Sequence, residues 1–181
     1  MSTIITGPVY GIMAEFEDEH SLLHAAREAY KEGYRNMDAY SPIPVLGLPE
    51  AIGAPKSKVP LIVLIFGLTG AITGWLLQYW VTVIAYPLNV GGKPLVSWPM
   101  WVPIIFELMI LFGAFSAFFG MLALNRLPEP YHPVFNVPGF ERASQDRFFL
   151  CIEAKDPKFD RFYTREFLKS LGAVEVSDVA P

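Results

Sequence analysis

Glu107 is the residue whose surroundings most invite chemistry. It is the only charged side chain between Lys93 and Arg126, and no charged residue stands between Lys58 and Lys93. A carboxylate inside apolar sequence of that length costs several kcal/mol unless it is paired or protonated. Two readings follow: a neutral, hydrogen-bonded structural residue, or one station of a proton route. Gln78, counted inward from the outer ends of the two apolar segments, falls at a similar depth. Its amide has the donor and acceptor to satisfy a carboxyl group without proton traffic. One carboxyl group is not a relay, so the structural reading leads.

Other candidates carry less. His132, in Pro-Tyr-His-Pro, has no second His or Cys at ligand spacing and reads as a loop residue bonded to backbone, at a place where a partner could touch it. His20 and His24 lie one helical turn apart, but two ligands without a third read as a solvated face. Cys151 is the only cysteine, which excludes an internal disulfide, a Cys-x-x-Cys-His haem attachment and an iron–sulfur cluster ligated within this chain. Nothing near it in sequence lowers a thiol pKa, so it reads as a small apolar strand residue. No Gly-rich phosphate loop follows a strand and no nucleophile–base pair is apparent, so an autonomous enzyme is not expected. The net charge of −4, with both signs mixed through the terminal segments, sets nucleic-acid binding aside.

The elements that position these residues begin with the apolar centre. About 20 apolar residues cross the hydrocarbon, so residues 59–125 hold two spans, about 60–83 and 101–124. Gly67, Gly70 and Gly74 on the first and Gly113, Ala117 and Gly120 on the second are small positions that let two helices approach in lipid, where no hydrophobic drive pairs them. Tyr79, Trp80, Tyr86, Trp98 and Trp101 gather at the far end, as interfacial aromatic rings do. Lys56, Lys58 and Arg126, with Arg142 and Arg147 beyond, flank one end and Lys93 alone the other, which predicts cytoplasmic N- and C-termini. The start, Met1-Ser-Thr-Ile-Ile-Thr-Gly-Pro, has no basic, apolar and cleavage-site succession, so no removed signal peptide is expected.

On either side of the hairpin the pattern is strand, helix, strand. Val9–Phe16, a helix capped by Asp18 and ended by Gly33, and Asn36–Tyr40 form the first set, within 1–58. Six prolines and glycines between Pro42 and Pro55 mark a linker. Within 126–181, a proline-rich connector, Leu127 to Phe140, precedes a strand at Arg147–Ala154, a helix from about Asp160 to Leu171 and a short strand at Ala173–Val176. Paired, the two sets predict one α+β domain of ferredoxin-like, split βαβ type, with the membrane hairpin inserted in it. In that arrangement the first and third strands are expected side by side and parallel. Met13, Phe149 and Cys151 would then point to an uncovered face, a candidate partner surface.

Tyr10-Gly-Ile-Met-Ala-Glu-Phe16, Met37-Asp-Ala-Tyr-Ser-Pro42, Tyr86-Pro-Leu-Asn-Val-Gly-Gly-Lys-Pro-Leu95, Ser97-Trp-Pro99, Phe106-Glu-Leu108, Tyr131-His-Pro-Val-Phe-Asn136 and Asp146-Arg-Phe-Phe-Leu-Cys-Ile-Glu153 cover nearly the whole chain. Together they resemble the D-type membrane subunit of alternative complex III, a bacterial quinol:electron acceptor oxidoreductase. The resemblance implies a non-catalytic, cofactor-free accessory subunit of the inner membrane. Its partners would be quinol-binding membrane subunits and subunits carrying iron–sulfur clusters and haem c. It supplies no catalytic residue. The rival readings are a membrane-tethered ligand or metal sensor, whose metal-binding version needs a Cys-x-x-Cys loop, and a small transporter subunit, which would show more intramembrane polar residues.

Overall fold

The computed structural model describes residues 7–181, so the segment that bears on a signal peptide begins outside the described residues. The chain forms two compact units, one of residues up to 55 together with 130–181, the other of residues 56–129.

In the first unit, β1 (Gly11–Phe16) leads into α1 (Glu19–Glu32). Asp18 caps that helix, its Oδ1 accepting from the Ser21 N–H at 2.8 Å. Gly33 ends it at φ 111°, a left-handed state that glycine adopts without strain. Next come β2 (Met37–Tyr40) and a one-turn helix, α2 (Leu48–Ala51). The linker is therefore not free of structure: Leu48 and Ala51 are buried in the core. Beyond the hairpin lie β3 (Phe148–Glu153), α5 (Arg161–Ser170), capped by Asp160, and β4 (Glu175–Val179). The last strand runs three residues past the predicted one, because its ladder with β1 extends to the Gly11–Val179 pair.

The four strands form one sheet in the order β2-β3-β1-β4. β1 and β3 are central neighbours, but they pair antiparallel, not parallel as expected from the sequence. Both β1 and β2 run opposite to β3, so it is β1 and β2 that are parallel, with β3 between them. One sheet face carries Ile12, Ala14 and Phe16 of β1 and Phe148, Leu150 and Ile152 of β3, in one core with Leu22, Ala25, Ala26 and Ala29 of α1 and Leu168 of α5. Burying a side chain of the Leu, Ile or Phe class is worth about 1.5–3 kcal/mol, so this core dominates the unit.

The other face is not open. Met13, Phe149, Cys151 and Val179 are buried beneath Val134, Val137, Phe140 and Ala143. Three of those four come from the proline-rich connector and Ala143 from just beyond it, a stretch that folds as two 3-10 turns, Pro133–Asn136 and Phe140–Ser144. Prolines that forbid a regular helix leave a chain able to lie flat over the sheet. The expected partner surface at Met13, Phe149 and Cys151 is thus a second, internal core.

The second unit is a helical hairpin of two spans, Val59–Ala85 and Trp98–Leu124, both long and apolar enough to cross a membrane. The first begins as α3 (Val59–Tyr79) and finishes in a π-helical turn, Trp80–Ala85. The second is α4 (Trp98–Leu124), which starts three residues before the predicted span, with Pro99 tolerated in its first turn.

Candidate functional site

The α3–α4 contact is built on glycine. A Cβ on Gly70 would stand 2.4 Å from the Leu108 carbonyl oxygen, and one on Gly74 would stand 3.0 Å from the Ile105 Cα. Only hydrogen fits at Gly70, because the obstacle is backbone and cannot rotate away. Gly67 is looser, with its nearest neighbour, Met109, at 3.7 Å. On α4, Gly113 and Ser116 are buried, while Ala117 and Gly120 are half-buried. Ser116 is a contact residue that the sequence pattern does not single out. Its hydroxyl donates to the Gly113 carbonyl at 2.8 Å, which satisfies it locally and frees it to serve as one more small residue.

These contacts set the register, and they separate Glu107 from Gln78. Gly74 lies against Ile104 and Ile105, and Gly70 against Leu108 and Phe112, so Glu107 stands at the level of Gly70 to Gly74. Gln78 is one turn nearer the π-helical end, toward the level of Trp101. Glu107 is exposed, on the flank of α4 turned away from the buried Gly113 and Ser116. Among the described residues no hydrogen bond or ion pair reaches its carboxyl group. Trp101 is 2% exposed and its indole N–H is buried without a partner. Trp101 also packs edge-on against Trp75, with ring centroids 6.3 Å apart.

In the domain, His132 is half-buried at the rim of a groove of about 500 Å³ between the β2 edge and the connector, lined also by Tyr40, Ser41, Phe135 and Phe140. Its Nδ1 accepts from the Val134 N–H at 3.4 Å, and its ring meets Tyr10 edge-on at 5.5 Å. The Tyr10 hydroxyl donates to Glu153 Oε1 at 3.0 Å, and Lys155 Nζ lies 2.9 Å from Glu153 Oε2. Burial, and next the Glu153 carboxylate, raise the Tyr10 phenol above its ordinary range. Burial likewise pushes the Cys151 thiol up, so it is a poor nucleophile. His20 and His24 are exposed on α1. Among the described residues no group of three or more His, Cys, Asp or Glu is placed to hold a metal ion.

Two charged groups that sequence reasoning passes over are firmly held. Asp178, 2% exposed, receives Arg165 Nη2 at 2.6 Å and Arg161 Nη2 at 2.5 Å, and Arg165 Nη1 also donates to the Val176 carbonyl at 3.0 Å. The pair fastens α5 to β4. Asp156 is 4% exposed and accepts from the backbone N–H groups of Arg35, Asn36 and Lys158 at 2.6, 2.8 and 2.8 Å. Burial alone would raise its pKa. The three N–H donors outweigh that and hold the carboxyl below its ordinary value. The spacing i, i+4 of Arg161 and Arg165 is the available signal: two arginines on the flank of an amphipathic helix, facing an Asp in a strand.

A family model described as alternative complex III, ActD subunit, matches residues 10–178. No curated protein matches the chain.

Proposed function

Because the chain belongs to the ActD subunit family of alternative complex III, a quinol oxidoreductase complex of electron transport, we propose that it is a cofactor-free accessory subunit, whose two-helix hairpin anchors it among the quinol-binding membrane subunits. The hairpin is inserted in a ferredoxin-like domain. Both termini lie in the cytoplasm, and the iron–sulfur clusters and haem c belong to other subunits. The observation that carries this reading is Glu107: an exposed carboxyl group on an apolar helix, with no partner in its own hairpin. Lipid offers it no hydrogen bond, so a donor from a neighbouring subunit is the stabilising arrangement. That donor takes the place that the sequence reading gives to Gln78.

On this reading Glu107 is a structural residue held by a partner's donor, and partner contact on the domain falls at the His132 rim. If Glu107 instead carried protons, its replacement by Gln would leave assembly intact and remove turnover, since an amide does not exchange a proton near neutral pH. The test is purification in mild detergent through a tag on this chain, followed by haem staining and identification of the co-purifying polypeptides. Haem-bearing and quinol-binding subunits should accompany it. Isolation alone would refute the proposal. A cysteine placed in the Asn89–Leu95 loop should react with an impermeant thiol reagent from outside intact spheroplasts, and the opposite labelling would reverse the orientation.

A further inference from the structure

Beside the glycine contact, a lateral cleft opens between the two helices. Ile62, Phe66, Phe112, Phe115, Phe119 and Gly120 line this open apolar groove of about 480 Å³. Its α4 wall runs from Phe112 to Ala123, about 16 Å at 1.5 Å per residue. An extended hydrocarbon chain fits along it.

One end of the cleft is cationic. Ile62 donates its N–H to the Lys58 carbonyl at 3.1 Å, and Arg126 donates its N–H to the Ala123 carbonyl at 3.2 Å, so each basic residue is one turn from a lining residue. A Cβ on Gly120 would meet Ile62 at 3.5 Å, which places the two helix ends at the same level. Lys58 and Arg126 are both exposed there, with Lys56 just beyond and Glu129 the acidic residue of that stretch. Arg126 also holds φ 56°, the positive-φ non-glycine residue among those described, a state that L side chains rarely adopt. It turns the chain off the helix just where the cleft ends.

We propose that this cleft holds one acyl chain of an anionic phospholipid, with the lipid phosphate held between Lys58 and Arg126. An apolar slot ending at two cations matches a molecule with a hydrocarbon tail and a negative head. A zwitterionic lipid brings the same phosphate, but its ammonium group is repelled by the two cations.

The complex, purified and stripped of lipid, is titrated with dioleoyl phosphatidylglycerol or dioleoyl phosphatidylcholine and read by native mass spectrometry of this subunit. One phosphatidylglycerol should be retained, with a preference of roughly ten- to thirtyfold, as two surface cations provide. Gly120→Leu should abolish retention by filling the slot. Gly120→Ala, whose added methyl group meets Ile62 at ordinary contact distance, should keep it. A Lys58→Gln/Arg126→Gln variant should bind both lipids alike. Equal binding by the unaltered protein, no retained lipid, or a Gly120→Leu complex that keeps its phosphatidylglycerol would each overturn the proposal. The site rests on the hairpin lying in a bilayer. Release of the subunit from membranes by alkaline carbonate would refute that reading, whereas a membrane-held subunit without the lipid preference refutes only the site.

Discussion

The α+β unit and the helical hairpin are held together by opposite means. In the domain, large side chains such as Phe16, Leu150, Ile152 and Leu168 are fully or nearly fully withdrawn from solvent, and water supplies the driving force. The hairpin has small residues at its contact and leaves its large ones, Phe66, Phe106, Phe115 and Phe119, exposed. In lipid that inversion is the stable arrangement, because exposure of Phe costs nothing there and close backbone approach is what remains to be gained. The lesson is where each region is vulnerable: the hairpin to a methyl group added at Gly70, and the domain to methyl groups removed from its core.

All four tryptophans, at 75, 80, 98 and 101, lie in the hairpin, so their fluorescence reports on it alone, while pulse proteolysis or hydrogen exchange reports on the domain. The largest effect is expected from Asp178→Ala, which strands the buried Arg165 guanidinium without its carboxylate. A loss of about 3–5 kcal/mol should appear in domain proteolysis with tryptophan emission unchanged. Next is Gly70→Ala, whose methyl group would overlap the Leu108 carbonyl. About 1–3 kcal/mol of overpacking should shift the tryptophan signal and leave the domain intact, while Gly67→Ala should do neither. Movement of both signals by Gly70→Ala would show the two regions to be one cooperative unit.

Glu107→Leu should weaken retention of partner subunits by about 1–3 kcal/mol, by leaving a donor unsatisfied, whereas Glu107→Gln should preserve both assembly and quinol oxidation. Co-purification yield and turnover together check this. A correctly assembled Gln variant with strongly reduced turnover would make Glu107 part of the proton machinery. The smallest effect concerns pH. The folded-state pKa of Asp156 is lowered, so its contribution is present at neutral pH, above the unfolded value, and is lost as pH falls through the folded value. The difference in domain stability between the native chain and Asp156→Asn should therefore be widest near pH 7 and close below about pH 4.

Much of this is legible in the sequence, where local rules apply. Asp18 and Gly33 bound α1 because caps are decided by single residues, and the glycines at 67, 70 and 74 announce a close helix contact because nothing else permits one. Each helical crossover makes its own two strands parallel, β1 with β2 and β3 with β4, and the split βαβ arrangement interleaves the two pairs antiparallel, so a parallel β1 and β3 does not follow from that arrangement. What escapes depends on distant chain. The burial of Met13 and Cys151 depends on a connector whose prolines say what it cannot form, not where it lies. Glu107 and Gln78 match when counted from helix ends, but contact register is set by where backbones touch. Arg165 looks solvated because a charge on a helix flank usually is, and its partner Asp178 sits in a strand that the sequence pattern ends three residues short.

The position of β1 in the sheet has a consequence for biosynthesis. Its two neighbours, β3 and β4, are both encoded after the hairpin, so no strand adjacent to β1 exists when it leaves the ribosome. At about 5–20 residues per second, roughly 8–30 s pass between the synthesis of Phe16 and that of Val179. During that interval both edges of a strand carrying Ile12, Met13, Ala14 and Phe16 are unpaired, an aggregation-prone state. The hairpin is synthesised in the same interval, so the sheet closes only after both apolar spans have been made.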